Sequence, residues 1–172
     1  HGLDLEAKAD GPPCALFAGR LVDAKGPSSA LEAWRRASIE GLPLVLAGTG
    51  TMRTPLEARG CDVLGWVPHE NMSALYRRAE VLIMPSRWQE PFGIVGLEAL
   101  YMGVPVAAWE SGGVSEWHPG GRALVPWGDV DGLASAIAHV VGSSAVMPKG
   151  FEPGPLMAQL LAIYEDMQIA AS

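Results

Sequence analysis

The stretch from residue 81 to residue 108 reads VLIMPSRWQEPFGIVGLEALYMGVPVAA. It begins with a continuous apolar run, Val81 to Met84, of the kind that is buried on both faces of a parallel sheet. A segment with helical character follows from Gly93 to Met102 and is closed by Gly103. Pro105 to Ala108 is a second apolar run. The stretch therefore predicts a strand, a helix and another strand, which is the repeating unit of a parallel α/β sheet.

The same alternation extends along the chain on both sides of this stretch. Further strands are predicted at Ala15 to Ala18, Leu42 to Ala47 and Val63-Leu64, and a short extended piece ends at Val125. The remaining helices are predicted at Ser28 to Ser38, at Thr54 to Arg59, after a cap at Asn71 (with Met72, Leu75, Tyr76 and Ala79), from Asp129 to about Val141, and at Leu156 to Met167.

This order of elements predicts an α/β fold with an open, mostly parallel, doubly wound sheet. In sheets of this kind ligands bind at the carboxyl ends of the strands. The loops that follow Ala18, Ala47, Leu64, Met84 and Ala108 are therefore the first places to look for a functional site.

Composition and charge limit the class of protein. A chain of 172 residues with 49% hydrophobic and 18% charged residues suits one globular domain. The net charge of -7 argues against a nucleic-acid surface, and no apolar run approaches the ~20 residues that span a bilayer. Cys14 and Cys61 are read as reduced thiols of a cytosolic protein, and no Cys/His spacing indicates a metal.

The first of the candidate loops runs from Gly19 to Gly26 and contains two cations, Arg20 and Lys25. An arginine fork and a mobile lysine charge at one strand end could together neutralise a diphosphate. The alternative is a solvated loop with a surface ion pair through Asp23.

Two later loops also contain residues suited to a ligand. Gly93 precedes a helix whose free N–H groups favour phosphate or sugar oxygens, and Glu98 is the single charged residue between Gly93 and Gly103. Glu98 could accept hydrogen bonds from a ribose diol or could face solvent. Gly112-Gly113 permits a close backbone approach to a ligand, or forms a simple tight turn.

Several of these motifs occur in the order that is typical of one family. They are Gly19-Arg20-Leu21, Lys25-Gly26, Glu90-Pro91-Phe92-Gly93 through Glu98-Ala99-Leu100, Gly103-Val104-Pro105-Val106, and Gly112-Gly113 with Glu116. The ordered set resembles glycosyltransferase family 4, the group 1 transferases, whose signature places two glutamates eight residues apart. The resemblance spans about residues 2 to 141 and implies one half of a two-domain GT-B fold.

The resemblance also implies a domain organisation. Residues 1–172 correspond to the C-terminal, donor-binding domain of the family, and residues 1–12 to a remnant of the interdomain linker, where Gly2-Leu3-Asp4 matches. The resemblance therefore implies that the family's N-terminal domain, which usually binds the acceptor, is absent from this chain. We expect the chain to be an excised part of a longer protein rather than a natural single domain, so that on its own it is nearly inactive in transfer.

The implied enzyme is a retaining, hexosyltransferase-like glycosyltransferase that needs no metal and no cofactor. Its donor is a nucleotide-diphosphate sugar of the UDP, GDP or ADP type, and its acceptor is a saccharide, lipid or small molecule held by the missing domain. We expect no nucleic-acid partner and no transmembrane segment. The expected location is cytoplasmic, and any association with the cytoplasmic face of a membrane would reside in the missing half.

The resemblance assigns a role to each matching residue. Those matching the family's catalytic positions are Arg20 and Lys25, which hold the diphosphate and stabilise the leaving group, and Glu90, which contacts hydroxyls of the transferred sugar. Glu98 holds the ribose hydroxyls. The other donor-binding positions are Gly19 and Gly48, Trp66 and Val67 beside the base, Phe92, Gly93 and Ile94 through their backbone N–H groups, and Gly112 and Gly113.

Two other classes of protein stay open. One is a stand-alone, non-catalytic module that binds a nucleotide or nucleotide sugar, and the other is a GT-B relative such as an epimerase. A dinucleotide fingerprint starting at Gly48 fails because Arg53 stands where the third glycine belongs. Asp129 fits a helix cap better than a metal ligand. His69, His118 and His139 are read as structural or surface residues.

Overall fold

The computed structural model describes residues 11–145, 147–148, 150–151 and 154. Its centre is a six-stranded parallel sheet with the order β3-β2-β1-β4-β5-β6. The strands are β1 (Cys14–Ala18), β2 (Leu44–Ala47), β3 (Asp62–Gly65), β4 (Ala79–Met84), β5 (Val106–Trp109) and β6 (Leu124–Val125). The predicted parallel sheet is confirmed, and the extended piece ending at Val125 is its sixth strand, paired through Trp109 and Val125.

Helices connect the strands. They are α1 (Pro27–Ala37), α2 (Arg53–Ala58), α3 (His69–Arg78), α4 (Ile94–Tyr101), α5 (Val114–Trp117) and α6 (Val130–Val140), with short 3-10 turns at Asp23–Lys25 and Gly121–Ala123. The segment predicted as a helix from Leu156 to Met167 and the linker match at residues 2–4 lie outside the described residues.

The helices cover both faces of the sheet because successive strand residues point to opposite sides. In β1, Ala15 and Phe17 join one apolar cluster, while Cys14 and Leu16 join the other. The first cluster includes residues of α1, α2 and α6, and the second includes residues of α3, α4 and α5. This arrangement confirms a doubly wound, Rossmann-like α/β domain.

One predicted helix start is wrong. Asn71 was expected to cap the third helix, but α3 begins at His69, directly after Pro68, and Asn71 lies inside it. Pro68 is the N-cap residue in an extended conformation (φ −55°, ψ 147°), no side chain caps the helix, and the Asn71 N–H donates to the Pro68 carbonyl at 2.9 Å. The helix also ends at Arg78, so Ala79 opens β4 instead of belonging to the helix.

Two other local predictions, the cap at Asp129 and the free cysteines, are confirmed. Asp129 caps α6, since its Oδ1 accepts a hydrogen bond from the Gly132 N–H at 2.8 Å. Both cysteines are free, and burial raises the pKa of each thiol. Among the described residues there is no cluster of side chains suited to a metal ion and no helix long and apolar enough to cross a membrane.

The strand order fixes where a ligand can enter. From β1 the chain builds outward to β2 and β3, and it then returns to place β4 on the other side of β1. Connections leaving neighbouring strands in opposite directions open a crevice at the carboxyl edge of the sheet. The loops after Ala18 and Met84 border this crevice between β1 and β4.

Candidate functional site

A cavity of about 510 Å³ lies at this crevice. It is lined by residues from the loops after β1, β2, β3 and β4 and from the start of α4. The structure brings most of the residues predicted for the site together around it: Gly19, Arg20, Lys25, Gly48, Trp66, Val67, Glu90, Gly93, Ile94 and Glu98. Phe92, Gly112 and Gly113 are not among its lining residues.

Backbone hydrogen bonds hold the loops at the floor of the cavity. The Gly19 N–H donates to the Ala47 carbonyl at 2.9 Å, and the Gly48 N–H donates to the Gly65 carbonyl at 2.7 Å. Gly48 has a φ of +149°, and a Cβ built there would lie 1.8 Å from the Gly19 carbonyl oxygen. Glycine at 48 is therefore required by the close approach of the two loops.

Lys25 and Glu90 form an ion pair inside the cavity. The Lys25 Nζ donates to Glu90 Oε2 at 2.6 Å, and the Ser86 hydroxyl donates to the same oxygen at 2.9 Å. The side chains are partly shielded, with exposed fractions of 28% for Lys25 and 12% for Glu90. A cation and an anion are thus held next to each other at the point where the loops after β1 and β4 meet.

Two further contacts join these loops. Arg87 pairs with Asp23 at 3.0 Å, and the Arg87 and Trp88 N–H groups both donate to the Ala24 carbonyl. The surface ion pair through Asp23 that the sequence offered as an alternative is therefore present, but its cation is Arg87. Arg20 is exposed and makes no ion pair with any described residue, so its guanidinium can reach a ligand.

Glu98 lies at another part of the cavity wall, on α4. Its Oε2 accepts a hydrogen bond from the Tyr76 hydroxyl at 2.9 Å. Burial raises the pKa of the Glu98 carboxyl, and the Tyr76 hydrogen bond and the charge of His69 offset part of that rise. The carboxyl is thus a partly buried acceptor on the wall of the cavity and not a fully solvent-facing glutamate.

Tyr76 and His69 were not predicted as parts of the site. Helical spacing identified Tyr76 only as a buried residue of α3, and its 22-residue separation from Glu98 hides the contact in the sequence. His69 was expected to be structural or on the surface, but it lines the cavity at the start of α3. His118 does fit the structural interpretation, because its ring contacts the Val106 carbonyl and accepts from the Gly120 N–H.

Phe92, Gly112 and Gly113, which do not line the cavity, support the loop that contains Glu90. The Gly113 N–H donates to the Glu90 carbonyl at 2.8 Å, and a Cβ on Gly112 would lie 2.3 Å from that same oxygen. The Phe92 carbonyl accepts a hydrogen bond from the indole of the buried Trp117. Direct donor contacts by Phe92, Gly112 and Gly113 therefore stay predictions.

The backbone before α4 also faces the cavity. Gly93 adopts a left-handed conformation with φ +73°, and α4 begins at Ile94 without a side-chain cap. The Gly93, Ile94 and Val95 residues all line the cavity. Unpaired N–H groups at a helix start favour anionic or hydroxyl oxygens, so this segment can bind part of a polar ligand.

These features define a class of protein. It is a doubly wound α/β domain with cations and carboxylates around a cavity at the topological switch point of its sheet. The family model described as "Glycosyl transferases group 1" matches residues 12–143, and the chain belongs to this family. The resemblance in the sequence is thereby confirmed.

Individual relatives agree with this assignment. The chain is 36% identical over 147 residues to a glycogen synthase of Mycobacterium tuberculosis, covering 78% of this chain and 35% of that protein. It is similar to the sucrose-phosphate synthase of Thermosynechococcus elongatus, with a TM-score of 0.64 and 26% identity, over 99% of this chain and 49% of that one.

A further solved structure shares the fold. The Anabaena HepE protein in complex with UDP-glucose superimposes with a TM-score of 0.66 and 22% identity, over 82% of this chain and 42% of that one. The chain thus spans about a third of the length of the glycogen synthase and under half of HepE.

Proposed function

We propose that this chain is the donor-binding domain of a retaining glycosyltransferase that uses a nucleoside-diphosphate sugar. The observation that carries the proposal is the grouping of Arg20, Lys25, Glu90 and Glu98 around one cavity at the switch point of the sheet. Cations suit a diphosphate, and carboxylates suit the hydroxyls of ribose and sugar. Family membership supports the same assignment.

In this proposal each part of the donor has its own partners. Arg20 and Lys25 bind the diphosphate and stabilise the charge that develops on the leaving nucleoside diphosphate. Glu90 and the N–H groups at Gly93 and Ile94 bind hydroxyls of the transferred sugar. Arg20 and Lys25 supply the positive charge at the diphosphate, and the proposal assigns no divalent metal to this step.

The nucleoside occupies the remainder of the cavity. Glu98 accepts hydrogen bonds from the ribose hydroxyls while Tyr76 holds one of its oxygens. Trp66, whose side chain is 58% exposed, lies with Val67 beside the base. Neither carboxylate is assigned as a nucleophile, because Glu90 is tied to Lys25 and Glu98 to Tyr76.

The properties of the whole protein are part of the same proposal. The acceptor, a saccharide, lipid or small molecule, would be bound by an N-terminal domain, and transfer would retain the anomeric configuration. Transfer by the 172-residue chain alone is expected to be very poor, since a GT-B reaction takes place between two domains. The protein is proposed to act in the cytoplasm.

Calorimetric titration with UDP, GDP and ADP tests the proposal. We expect one nucleotide to bind, and Glu98→Ala to weaken its affinity by about 10-fold or more, because the ribose hydroxyls lose a charged acceptor. Glu40→Ala is the matched control, since Glu40 is exposed and precedes β2 at the opposite edge of the sheet. No binding by any of the three nucleotides to the chain would contradict the proposal.

The Lys25–Glu90 ion pair leads to a second prediction. A diphosphate must compete with Glu90 for Lys25, so Glu90→Gln is expected to tighten UDP binding by about 3- to 10-fold, the scale of a partly shielded ion pair. The same change should remove the additional affinity that UDP-glucose gains from its sugar, because the carboxylate acceptor is lost. Paired titrations with UDP and UDP-glucose measure both effects.

A control variant and a contrary outcome test whether Glu90 has the two proposed roles, as the partner of Lys25 and as an acceptor for sugar hydroxyls. Glu40→Gln, which removes one negative charge elsewhere on the surface, should leave both affinities unchanged. If Glu90→Gln weakened UDP and UDP-glucose equally, Glu90 would be acting only as a structural partner of Lys25.

A further inference from the structure

A second cavity, of about 300 Å³, borders the loop between β4 and α4. This loop contributes to both cavities, with Ser86 and Glu90 lining the first and Arg87 and Gln89 lining the second. The second cavity is completed by Glu110, Ser111, Gly112 and Trp127. It shares none of the residues that line the first cavity, so it is a separate cavity, and Gln89 places it beside Glu90.

Trp127 is an exposed aromatic ring that contacts a buried one. Its side chain is 55% exposed, and its ring centroid lies 6.1 Å from that of Trp109. Trp109 is itself buried, and its indole N–H donates to the Asp129 carbonyl at 3.0 Å. One part of the Trp127 ring therefore packs on a buried indole, while more than half of the residue stays open to solvent.

The groups around Trp127 are planar and polar. Arg87, Gln89 and Glu110 supply a guanidinium, an amide and a carboxylate, all on exposed residues. The charge of Arg87 is already paired with Asp23, and Glu110 adds a negative charge. The cavity therefore offers hydrogen-bond donors and acceptors without the excess of positive charge that a phosphate or a nucleic acid needs.

We propose that this second cavity binds a neutral saccharide. A sugar ring has an apolar C–H face that can lie on an indole, and its hydroxyls can donate to and accept from planar side chains at the edge. An exposed indole inside a cavity with a few polar groups at its edge has the composition of a ligand site.

The position of the cavity suggests how the bound saccharide would be used. Gly112 packs against the Glu90 carbonyl, and Gln89 precedes Glu90 in the chain. A saccharide at Trp127 would thus lie next to the loop that binds the transferred sugar, where it would serve as part of the acceptor. This use as an acceptor subsite rests on the proposed function, whereas saccharide binding itself does not.

Titration of the 172-residue chain with maltotriose and with cellotriose tests the proposal, followed by the indole N–H resonances in 1H–15N spectra. We expect one trisaccharide to shift the Trp127 indole resonance with saturable, millimolar affinity. Trp127→Ala should weaken binding, measured on the neighbouring backbone resonances, by about 10-fold or more. Gln89→Ala and Glu110→Gln, which alter exposed side chains, should each weaken it several-fold.

Trp88→Ala is the matched control. Trp88 is 71% exposed and belongs to the same loop, but its side chain does not line the second cavity. The control variant should bind the trisaccharide like the parent. UDP affinity should be unchanged in Trp127→Ala, which separates this test from the test of the donor site.

Three results would overturn the proposal. One is the absence of any Trp127 shift with both trisaccharides, and another is an equal loss of binding in Trp88→Ala and Trp127→Ala. The third is a Trp127 shift that follows protein concentration instead of trisaccharide concentration, since this would show that a second copy of the chain covers the face. Failure of UDP to bind would count against the donor site alone.

Discussion

Replacing Gly48 with alanine is expected to lower the free energy of unfolding by about 3 to 5 kcal/mol, from backbone strain and overpacking together. The new Cβ would lie 1.8 Å from the Gly19 carbonyl oxygen, and the residue has a φ of +149°. The carbonyl cannot move aside easily, because the Gly19 N–H is bonded to Ala47 and the Gly48 N–H to Gly65. The two loops would have to separate at the floor of the cavity.

Gly19→Ala is the matched control for this change. Gly19 has nearly the same φ, +150°, but a Cβ built there has no atom within 4 Å. The control is expected to lose only the strain of an unusual backbone conformation, about 1 to 3 kcal/mol. The difference between the two variants therefore measures the close approach of the loops.

Urea unfolding followed by circular dichroism provides both values, and equal slopes in urea would show that the compactness of the two states is unchanged. If Gly48→Ala and Gly19→Ala cost the same, the contact between Gly48 and the Gly19 carbonyl does not contribute to stability. If neither variant is destabilised, the loops are free to rearrange and the floor of the cavity is not fixed.

The parallel sheet could be predicted because its strands are buried on both faces. Val81 to Met84 and Leu42 to Ala47 are continuous apolar runs, and such runs leave few other choices of structure. The order of the strands could not be predicted from these runs, since every buried parallel strand has the same pattern. The position of the switch point between β1 and β4 is a result of the structure.

The sequence predicted which loops form the candidate site, but it did not predict the contacts between their side chains. Arg20, Lys25 and Glu90 follow apolar strands, so their placement at one edge follows from the fold, whereas Glu98 lies inside α4. The Tyr76–Glu98 hydrogen bond joins residues on two different helices, and it depends on how α3 and α4 pack on the sheet. Helical spacing placed Tyr76 on the buried side of α3 but gave no information about its partner.

The paired glycines show a different limit. Gly112-Gly113 indicates a close backbone approach, and the structure does contain one, but the approaching group is the Glu90 carbonyl. The glycine pair indicates that another group comes close to the backbone, but it does not identify that group. Trp127 is a comparable case, because its exposure and its support by Trp109 depend on the end of β5 meeting the segment that precedes α6.

Lys25→Ala is expected to have the largest effect on ligand binding, a loss of UDP affinity of about 1 to 3 kcal/mol, or roughly 5- to 150-fold. Lys25 is a partly shielded cation, and its removal leaves the Glu90 carboxylate in the cavity with Ser86 as its one remaining side-chain partner in the described chain. The diphosphate would lose an attractive charge and meet a repulsive one. Arg20→Ala is expected to fall at the lower end of this range, because Arg20 is exposed.

Calorimetric titration with UDP measures the change, and Arg122→Ala is the control for the loss of one positive charge. Arg122 is exposed and lies before β6, at the amino edge of the sheet and away from the cavity. The Arg122→Ala variant should bind UDP with the same affinity as the parent chain. Unchanged affinity in both Lys25→Ala and Arg20→Ala would mean that the loop after β1 does not bind the diphosphate.

The double variant Lys25→Ala with Glu90→Gln separates the two parts of the loss. If repulsion by the exposed carboxylate contributes, neutralising Glu90 should recover several-fold of the UDP affinity that Lys25→Ala loses. If no affinity returns, the whole effect belongs to the missing ammonium group. Full recovery to the parent value would instead mean that Lys25 acts only by shielding Glu90, and Arg20 would then be the main diphosphate ligand.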